Sequence, residues 1–279
     1  MTTAPTFILN DGKAMPQLGF GVWQISDAAA AAVIKTAVSI GYRSIDTAAY
    51  YKNEIGVGRG VRECGVDRKD LFVTTKLWNT RHGYDEAFKA FDESMERLGL
   101  DYIDLYLIHW PVAGSEKYVD AWKAFVKLRE SGRVKSIGVS NFMEEHLERI
   151  IGETGVKPVL DQIEIHPFFQ QKGLTTILRD QGIFPEAWSP LGKGKSVELP
   201  AIIEMARKYG KSPAQIIIRW HLQSGRIVIP KSANPGRLRE NFEALDFVLD
   251  DADVAAMDAL DRNERMDMDP RTFTGLDLM

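Results

Sequence analysis

The chain of 279 residues has one cysteine, Cys64, so it can build neither an internal disulfide nor a thiolate cluster, and a reducing compartment suits it. No apolar run approaches the ~18 residues that a membrane helix needs. Met1-Thr2-Thr3-Ala4-Pro5 carries neither a basic nor an apolar leader region. A cytoplasmic protein without a membrane partner is expected. Positive charge is not in excess either: 35 Lys and Arg stand against 39 Asp and Glu, a formal charge of -4, which offers no field for nucleic acid. The five histidines include no His-x-His and no His-Glu-x-x-His, so no metal site is expected.

What the chain does have is alternation. Apolar runs of strand length recur at Gly19–Val22, Ser44–Asp46, Leu71–Thr75, Ile103–Ile108, Val134–Val139, Val159–Ile163, Ile183–Ala187 and Ile227–Ile229. Between them lie stretches of helical spacing, among them Ala28–Ile40, Asp85–Leu98, Ala121–Ser131, Glu144–Ile151, Pro213–Ser224 and Arg237–Leu245. Gly41, Gly99, Gly132 and Gly182 stand at or just past helix ends, where positive φ is needed. Eight βα units in a chain of this length predict one domain over residues 1–279, a closed (β/α)8 TIM barrel rather than a doubly wound sheet. Ahead of it, Asn10-Asp11-Gly12 between two short extended runs predicts a β-hairpin placed to plug one end.

The residues just after the strands carry the chemistry. Trp23, Asp46, Lys76, His109-Trp110, Ser140-Asn141, Glu164 and His166, Trp188-Ser189 and Lys231-Ser232 should all share the C-terminal rim, where barrels bind ligands. A carboxylate, an ammonium, a phenol and an imidazole contain no nucleophile-base pair and no metal cage. They do contain a proton donor. A tyrosine hydroxyl ordinarily titrates at about 10 and needs tuning to act near neutrality. Lys76 would pull the phenol of Tyr51 down, Asp46 would keep Lys76 charged and aimed, and His109 would orient a substrate oxygen. Such a site suits protonation of a carbonyl oxygen as hydride reaches carbon, and the hydride must come from a cofactor.

The usual dinucleotide fingerprint is absent. Gly56-Val57-Gly58-Arg59-Gly60 lacks Gly-x-Gly-x-x-Gly and lies inside a helical pattern, and Gly194-Lys195-Ser196 would need a glycine where Ser189 stands. Ile229-Pro230-Lys231-Ser232 leading into Arg237 instead gathers cations and a hydroxyl around a helix start, which suits a phosphate.

Four motifs in order then give a resemblance: Gly41-Tyr42-Arg43-Ser44-Ile45-Asp46-Thr47-Ala48, Leu98-Gly99-Leu100-Asp101-Tyr102-Ile103-Asp104 through His109-Trp110-Pro111, Ile137-Gly138-Val139-Ser140-Asn141-Phe142 and Ile229-Pro230-Lys231-Ser232. Together the chain resembles the aldo-keto reductase superfamily and, within it, is most similar to the bacterial 2,5-diketo-D-gluconate reductases. The resemblance implies Tyr51, not Tyr50, as general acid, Lys76 and Asp46 as its tuning pair and His109 as the orienting group. It implies NADPH rather than NADH as cofactor. Ser140, Asn141 and Gln162 would hold the nicotinamide carboxamide, with Trp188 stacked on the ring. Ser189, Leu191 and Gly192 would line the pyrophosphate path. Lys231, Ser232 and Arg237 would meet the 2′-phosphate, with Glu240 and Asn241 at the adenine. Trp23, Trp78 and Trp110 would wall a pocket for a small carbonyl substrate, and the C-terminal segment would fold over it, bringing Arg265, Arg271 and Phe273 near. A monomer is expected. Departures from the family pattern are Lys52 for its glycine, Asp161 for its asparagine, Trp188 for its tyrosine, and Pro235-Gly236 before Arg237.

Two other functions fit parts of this pattern. An NADPH-binding regulatory or redox-sensing subunit would keep the fold without needing the intact acid. A barrel glycosidase would pair Asp46 with Glu164 and leave Lys76 idle. His82, His146 and His221 are expected as surface or packing residues, His166 as a hydrogen-bonded loop residue, and Trp122 and Trp220 as anchors between helix and barrel.

Overall fold

A computed structural model describes residues 4–276. The ends of the expected leader-free N-terminus and of the C-terminal segment, residues 1–3 and 277–279, lie outside that range. The first two strands, β1 (Thr6–Ile8) and β2 (Ala14–Pro16), form the expected antiparallel hairpin. Leu9 and Met15 of this hairpin are buried against Phe72, Leu105, Leu107, Leu160 and Ile227, and Asp11 accepts a hydrogen bond from Ser136 Oγ at 2.7 Å. The hairpin therefore stoppers the N-terminal end of the barrel.

The main chain of elements runs β3 (Phe20–Gly21), α1 (Asp27–Ile40), β4 (Ser44–Asp46), α2 (Glu54–Glu63), β5 (Phe72–Leu77), α3 (Tyr84–Leu98), β6 (Ile103–Ile108), α4 (Lys117–Glu130), β7 (Val134–Ser140) and α5 (Glu144–Thr154). It continues β8 (Leu160–Glu164), α6 (Lys172–Asp180), β9 (Phe184–Trp188), α7 (Pro200–Tyr209), α8 (Pro213–Gln223), β10 (Ile227–Val228), α9 (Pro235–Phe242) and α10 (Asp251–Asp258). From β3 to β10 each strand pairs in parallel with the next. Gly19 N donates to Val228 O at 3.0 Å and Gly21 N to Pro230 O at 3.3 Å, which brings β10 back to β3 and closes the barrel.

All eight expected barrel strands are present. Their apolar runs form because β5, β6 and β7 are covered on both faces, by the barrel interior and by helices. Strand ends shift by a residue or two, so Lys76 lies inside β5 rather than after it. Helices α6, α7 and α10 add to those expected from spacing. Ser212 starts α8 with a reciprocal cap: its Oγ accepts from Gln215 N at 3.3 Å and Gln215 Oε1 accepts from Ser212 N at 2.9 Å, with Pro213 at the first helical position. Gly41, Gly99, Gly132 and Gly182 take φ of 136°, 59°, 77° and 73° as predicted.

Trp122 and Trp220 are fully buried, and their indole N–H groups reach Thr154 Oγ1 at 3.2 Å and Asp258 Oδ1 at 2.8 Å. They tie α4 to α5 and α8 to α10, and truncating either would cost about 3–5 kcal/mol. Beyond α10 the segment 261–276 has no regular structure and crosses the C-terminal rim, with Ala113 N donating to Phe273 O at 3.1 Å and Asn79 Nδ2 to Thr274 O at 2.8 Å. Among the described residues no helix is long and apolar enough to cross a membrane.

Candidate active site

The chain turns sharply after β4, and that turn presents Tyr51. Residues Ala49–Tyr51 form one 3-10 turn, and Lys52 closes it in a left-handed conformation with φ of 54°. Asn53 pins the turn from behind: its Nδ2 donates to Val22 O at 3.0 Å and Ile25 O at 2.9 Å, and its Oδ1 accepts from Thr47 Oγ1 at 2.7 Å. Glu54, buried at the start of α2, accepts from Thr75 Oγ1 at 2.6 Å and pairs with Arg97 at 2.7 Å. Sequence reasoning assigns neither supporting residue a role. The adjoining Asn-Glu after a tyrosine is the available signal.

The expected catalytic residues come together. Lys76 is wholly buried, and its ammonium donates to Asp46 Oδ1 at 2.6 Å, Thr47 O at 2.9 Å and Tyr51 Oη at 3.3 Å. Those three bonds use every proton it has. Burial opposes the ammonium, yet Asp46 and Tyr51 outweigh it and raise the lysine above its ordinary value. The phenol departs from the sequence expectation. Burial raises Tyr51 above its ordinary value, and although Lys76 pulls it down, the net direction is upward, with Asp46 adding to the rise. Tyr51 therefore stays a phenol, ready to give a proton. His109, almost fully buried, is pushed well below the ordinary imidazole value by burial and then by Lys76, so it is neutral. A neutral imidazole can still donate one hydrogen bond to a substrate oxygen.

Aromatic rings surround these groups. Trp23 lies 4.8 Å from Tyr51 and stacks on Tyr50 at 5.6 Å, Tyr50 stacks on Trp78 at 3.9 Å, and Trp78 meets His109 edge-on at 5.2 Å. Trp110 packs against Phe273 of the C-terminal segment at 4.5 Å and lies 6.5 Å from Trp188. Tyr50 lies between Trp23 and Trp78, while Tyr51 is the tyrosine that Lys76 reaches. Of the tail residues, Phe273 reaches the pocket. Arg271 pairs with Glu145 at 3.2 Å on the surface, and Arg265 sits over the Phe169 ring at 4.5 Å beside Glu164.

Ser140, Asn141, Gln162 and Trp188 form a connected patch. Ser140 Oγ donates to Gln162 O at 2.8 Å. Asn141, left-handed with φ of 62°, gives Nδ2 to His109 O at 2.9 Å, and its Oδ1 accepts from Trp188 Nε1 at 2.9 Å. That fixes the indole half-exposed on the rim. Gln162 donates both amide protons inward, to Asp46 Oδ2 at 2.8 Å and Glu186 Oε2 at 2.8 Å, so only its Oε1 is left for a ligand. Sequence reasoning misses Glu186, although a glutamate inside an apolar strand run marks it. Asp161 is buried, its carboxyl pushed well up by burial while the Phe142 amide N–H, donating to its Oδ1 at 3.4 Å, holds it lower.

The loop after β9 carries Ser189, Leu191 and Gly192, with φ of 49° and 56° at Ser189 and Gly192. Beyond β10, Lys231, Ser232 and Arg237 gather at the start of α9, where Asn234 Oδ1 caps Arg237 N at 3.0 Å. Lys231 and Arg237 are exposed and in no ion pair among the described residues. Two exposed cations at a helix start fit a phosphate, whereas Ser232 is buried and its Oγ accepts from Asn234 N at 3.1 Å. Glu240 accepts from Ser212 Oγ, and Asn241 is buried.

The paired-acid alternative fails here, because Glu164 is wholly buried and engaged by His166 Nε2 at 2.9 Å and the Met266 and Asp267 amides at 2.7 and 3.3 Å. His82 and His221 are buried packing residues, and His82 is pushed down to about 4 by burial. Among the described residues no cluster of His, Cys, Asp or Glu could hold a metal.

Residues 17–262 match the aldo/keto reductase family. The chain is 51% identical over 274 residues to methylglyoxal reductase DkgA of Escherichia coli, covering 97% of this chain and 99% of that one. It is 50% identical over 270 residues to an aldo-keto reductase of Mycolicibacterium smegmatis, covering 97% and 98%. A mutant of Gox0644, solved in complex with NADPH, matches with a TM-score of 0.94 at 50% identity over 98% of this chain and 99% of that one.

Proposed function

The chain belongs to the aldo/keto reductase family, and we propose that it reduces small dicarbonyls to hydroxy-carbonyls as a cytoplasmic monomer, with Tyr51 as proton donor. The cofactor is NADP(H), and the reaction class is carbonyl reduction. Within that class, methylglyoxal is the first substrate to test, because a relative about half identical carries that name. Keto sugar acids such as 2,5-diketo-D-gluconate come second, supported by the motif resemblance and by the exposed Lys52 next to Tyr51.

One observation carries the reading: a single buried ammonium, Lys76, donates to both Asp46 and Tyr51. NADPH supplies the hydride. As negative charge grows on the substrate oxygen, Tyr51 Oη passes its proton to it, and Lys76 stabilises the phenolate left behind. Asp46 keeps Lys76 charged and aimed. His109, neutral, donates a hydrogen bond to the same oxygen without adding charge. Positioned proton donation of this kind contributes about 10²–10⁴-fold. The walls of Trp23, Tyr50, Trp78, Trp110 and Phe273 exclude water and favour a small flat substrate. Ser140, Asn141 and Gln162 Oε1 would hold the carboxamide, Trp188 the ring face, Ser189, Leu191 and Gly192 the pyrophosphate, and Lys231, Ser232 and Arg237 the 2′-phosphate, with Glu240 and Asn241 near the adenine.

The test is loss of NADPH absorbance with methylglyoxal, 2,5-diketo-D-gluconate and simple aldehydes, beside Tyr51→Phe, with tryptophan fluorescence reporting cofactor binding. Turnover that disappears in the variant supports the reading. Cofactor binding without turnover on any substrate would instead make the protein a regulatory or redox-sensing subunit.

A further inference from the structure

Glu186 sits on β9, with Gln162 of β8 and Ile227 of β10 as its register partners, and it is 1% exposed. Its Oε2 accepts from Gln162 Nε2 at 2.8 Å, and the same nitrogen donates to Asp46 Oδ2 at 2.8 Å. Asp46 in turn takes Lys76 at 2.6 Å, and Lys76 reaches Tyr51 Oη at 3.3 Å. A continuous hydrogen-bonded line therefore crosses the barrel interior from β9 to the phenol. Turning the Gln162 amide over would set its oxygen against the Asp46 carboxylate that takes Lys76, which fixes its orientation. A buried carboxyl at this depth is unfavourable, and packing alone gives no reason for it.

We propose that Glu186 is a positioning residue of the reduction: through the Gln162 amide it holds Asp46 and Lys76 in line with Tyr51, and when it ionises its charge acts on the phenol. The proposal rests on the reductase reading above. Its charged neighbours are Asp46 and Lys76, with Tyr51 beyond; on α6, which packs on β9, Lys172, Arg179 and Asp180 are exposed to solvent. Burial, followed by the Asp46 charge, pushes the Glu186 carboxyl up to about 8, while Gln162 and Lys76 hold it lower. An ionised Glu186 in turn raises the Tyr51 phenol.

Glu186→Gln keeps the shape and an acceptor but removes the charge, whereas Glu186→Ala removes both. With NADPH and methylglyoxal, the basic limb of kcat in Glu186→Gln should move to lower pH by about half a unit or more. Glu186→Ala should lose about tenfold or more in kcat, and Glu186→Gln clearly less. Phenolate absorbance of Tyr51, isolated by difference from Tyr51→Phe in the same background, should move the same way without any substrate. Unshifted titration and pH profile in Glu186→Gln would overturn the proposal, even if Glu186→Ala failed to fold. A wild-type protein that reduces no carbonyl would sink the reductase reading, and the phenolate titration would still decide for or against Glu186.

Discussion

A β-carbon on residue 58 would fall 1.8 Å from the carbonyl oxygen of Leu98, which is less than any real contact. Gly56 is equally confined, with Asp27 O 2.0 Å from its ideal β-carbon. The glycine-rich stretch of α2 thus lets one helix touch both α1 and the end of α3, and this close packing accounts for its glycines. Gly58→Ala should destabilise by about 3 kcal/mol or more, lowering the melting temperature by roughly 10 °C. Gly152→Ala, inside α5 with nothing within 4 Å, is the control. It should be neutral or slightly stabilising, and equal losses at both sites would refute the close-packing account.

Tyr51→Phe and Lys76→Met should each lower kcat by about 10²-fold or more. The phenylalanine ring keeps the wall with Trp23 intact. Tryptophan quenching by NADPH should therefore survive in Tyr51→Phe, and a variant that loses binding along with turnover would point to collapse of the pocket instead.

Strand positions were legible because each barrel strand is an apolar run, and the rim chemistry was legible because functional side chains cluster just past those runs. Lys76 was misplaced by one element boundary without harm, since its side chain still points inward to Asp46. The direction of the Tyr51 shift was not legible. Spacing shows that a cation is near, but only the packed pocket shows that burial outweighs it. Glu186 was hidden for a similar reason: its meaning comes from the register of β8 on β9, which sets it beside Gln162. Arg271 illustrates the limit for irregular segments, because nothing in the tail's letters says that it turns outward to Glu145.

At the proposed 2′-phosphate site, Lys231→Ala and Arg237→Ala should each raise the Kd for NADPH by about tenfold while leaving NADH nearly unchanged, as expected for loss of one charged contact. Equal weakening of both cofactors would remove the assignment. Titrating tryptophan fluorescence with each cofactor decides between them.

Glu164 fastens the C-terminal segment to the rim through the Met266 and Asp267 amides. In Glu164→Gln one acceptor and the charge facing Arg265 are lost. Hydrogen exchange at those two amides should quicken about tenfold, and, since Phe273 rides on the same segment against Trp110, KM for the carbonyl should rise several-fold. Unchanged exchange would mean that the contacts at Asn79 and Ala113 hold the segment by themselves.

Glu186 has a folded-state pKa raised from 4.5 to about 8, so between those values the folded protein keeps a proton that the unfolded chain has lost. Stability from this group is therefore intact below 4.5, declines as pH rises and is fully forfeited above about 8, by about 1.4 kcal/mol for each unit of separation. Buried histidines such as His109 and His221 have the opposite sign, their folded values being lowered, and gain stability as pH rises toward 6.5. They are common to both proteins, so the difference between Glu186→Gln and wild type isolates the carboxyl. Urea unfolding across the range should show the variant gaining on wild type with rising pH, by a few kcal/mol in total. A flat difference would mean that Glu186 ionises in the barrel as easily as in water, and that its bond to Gln162 meets its whole desolvation cost.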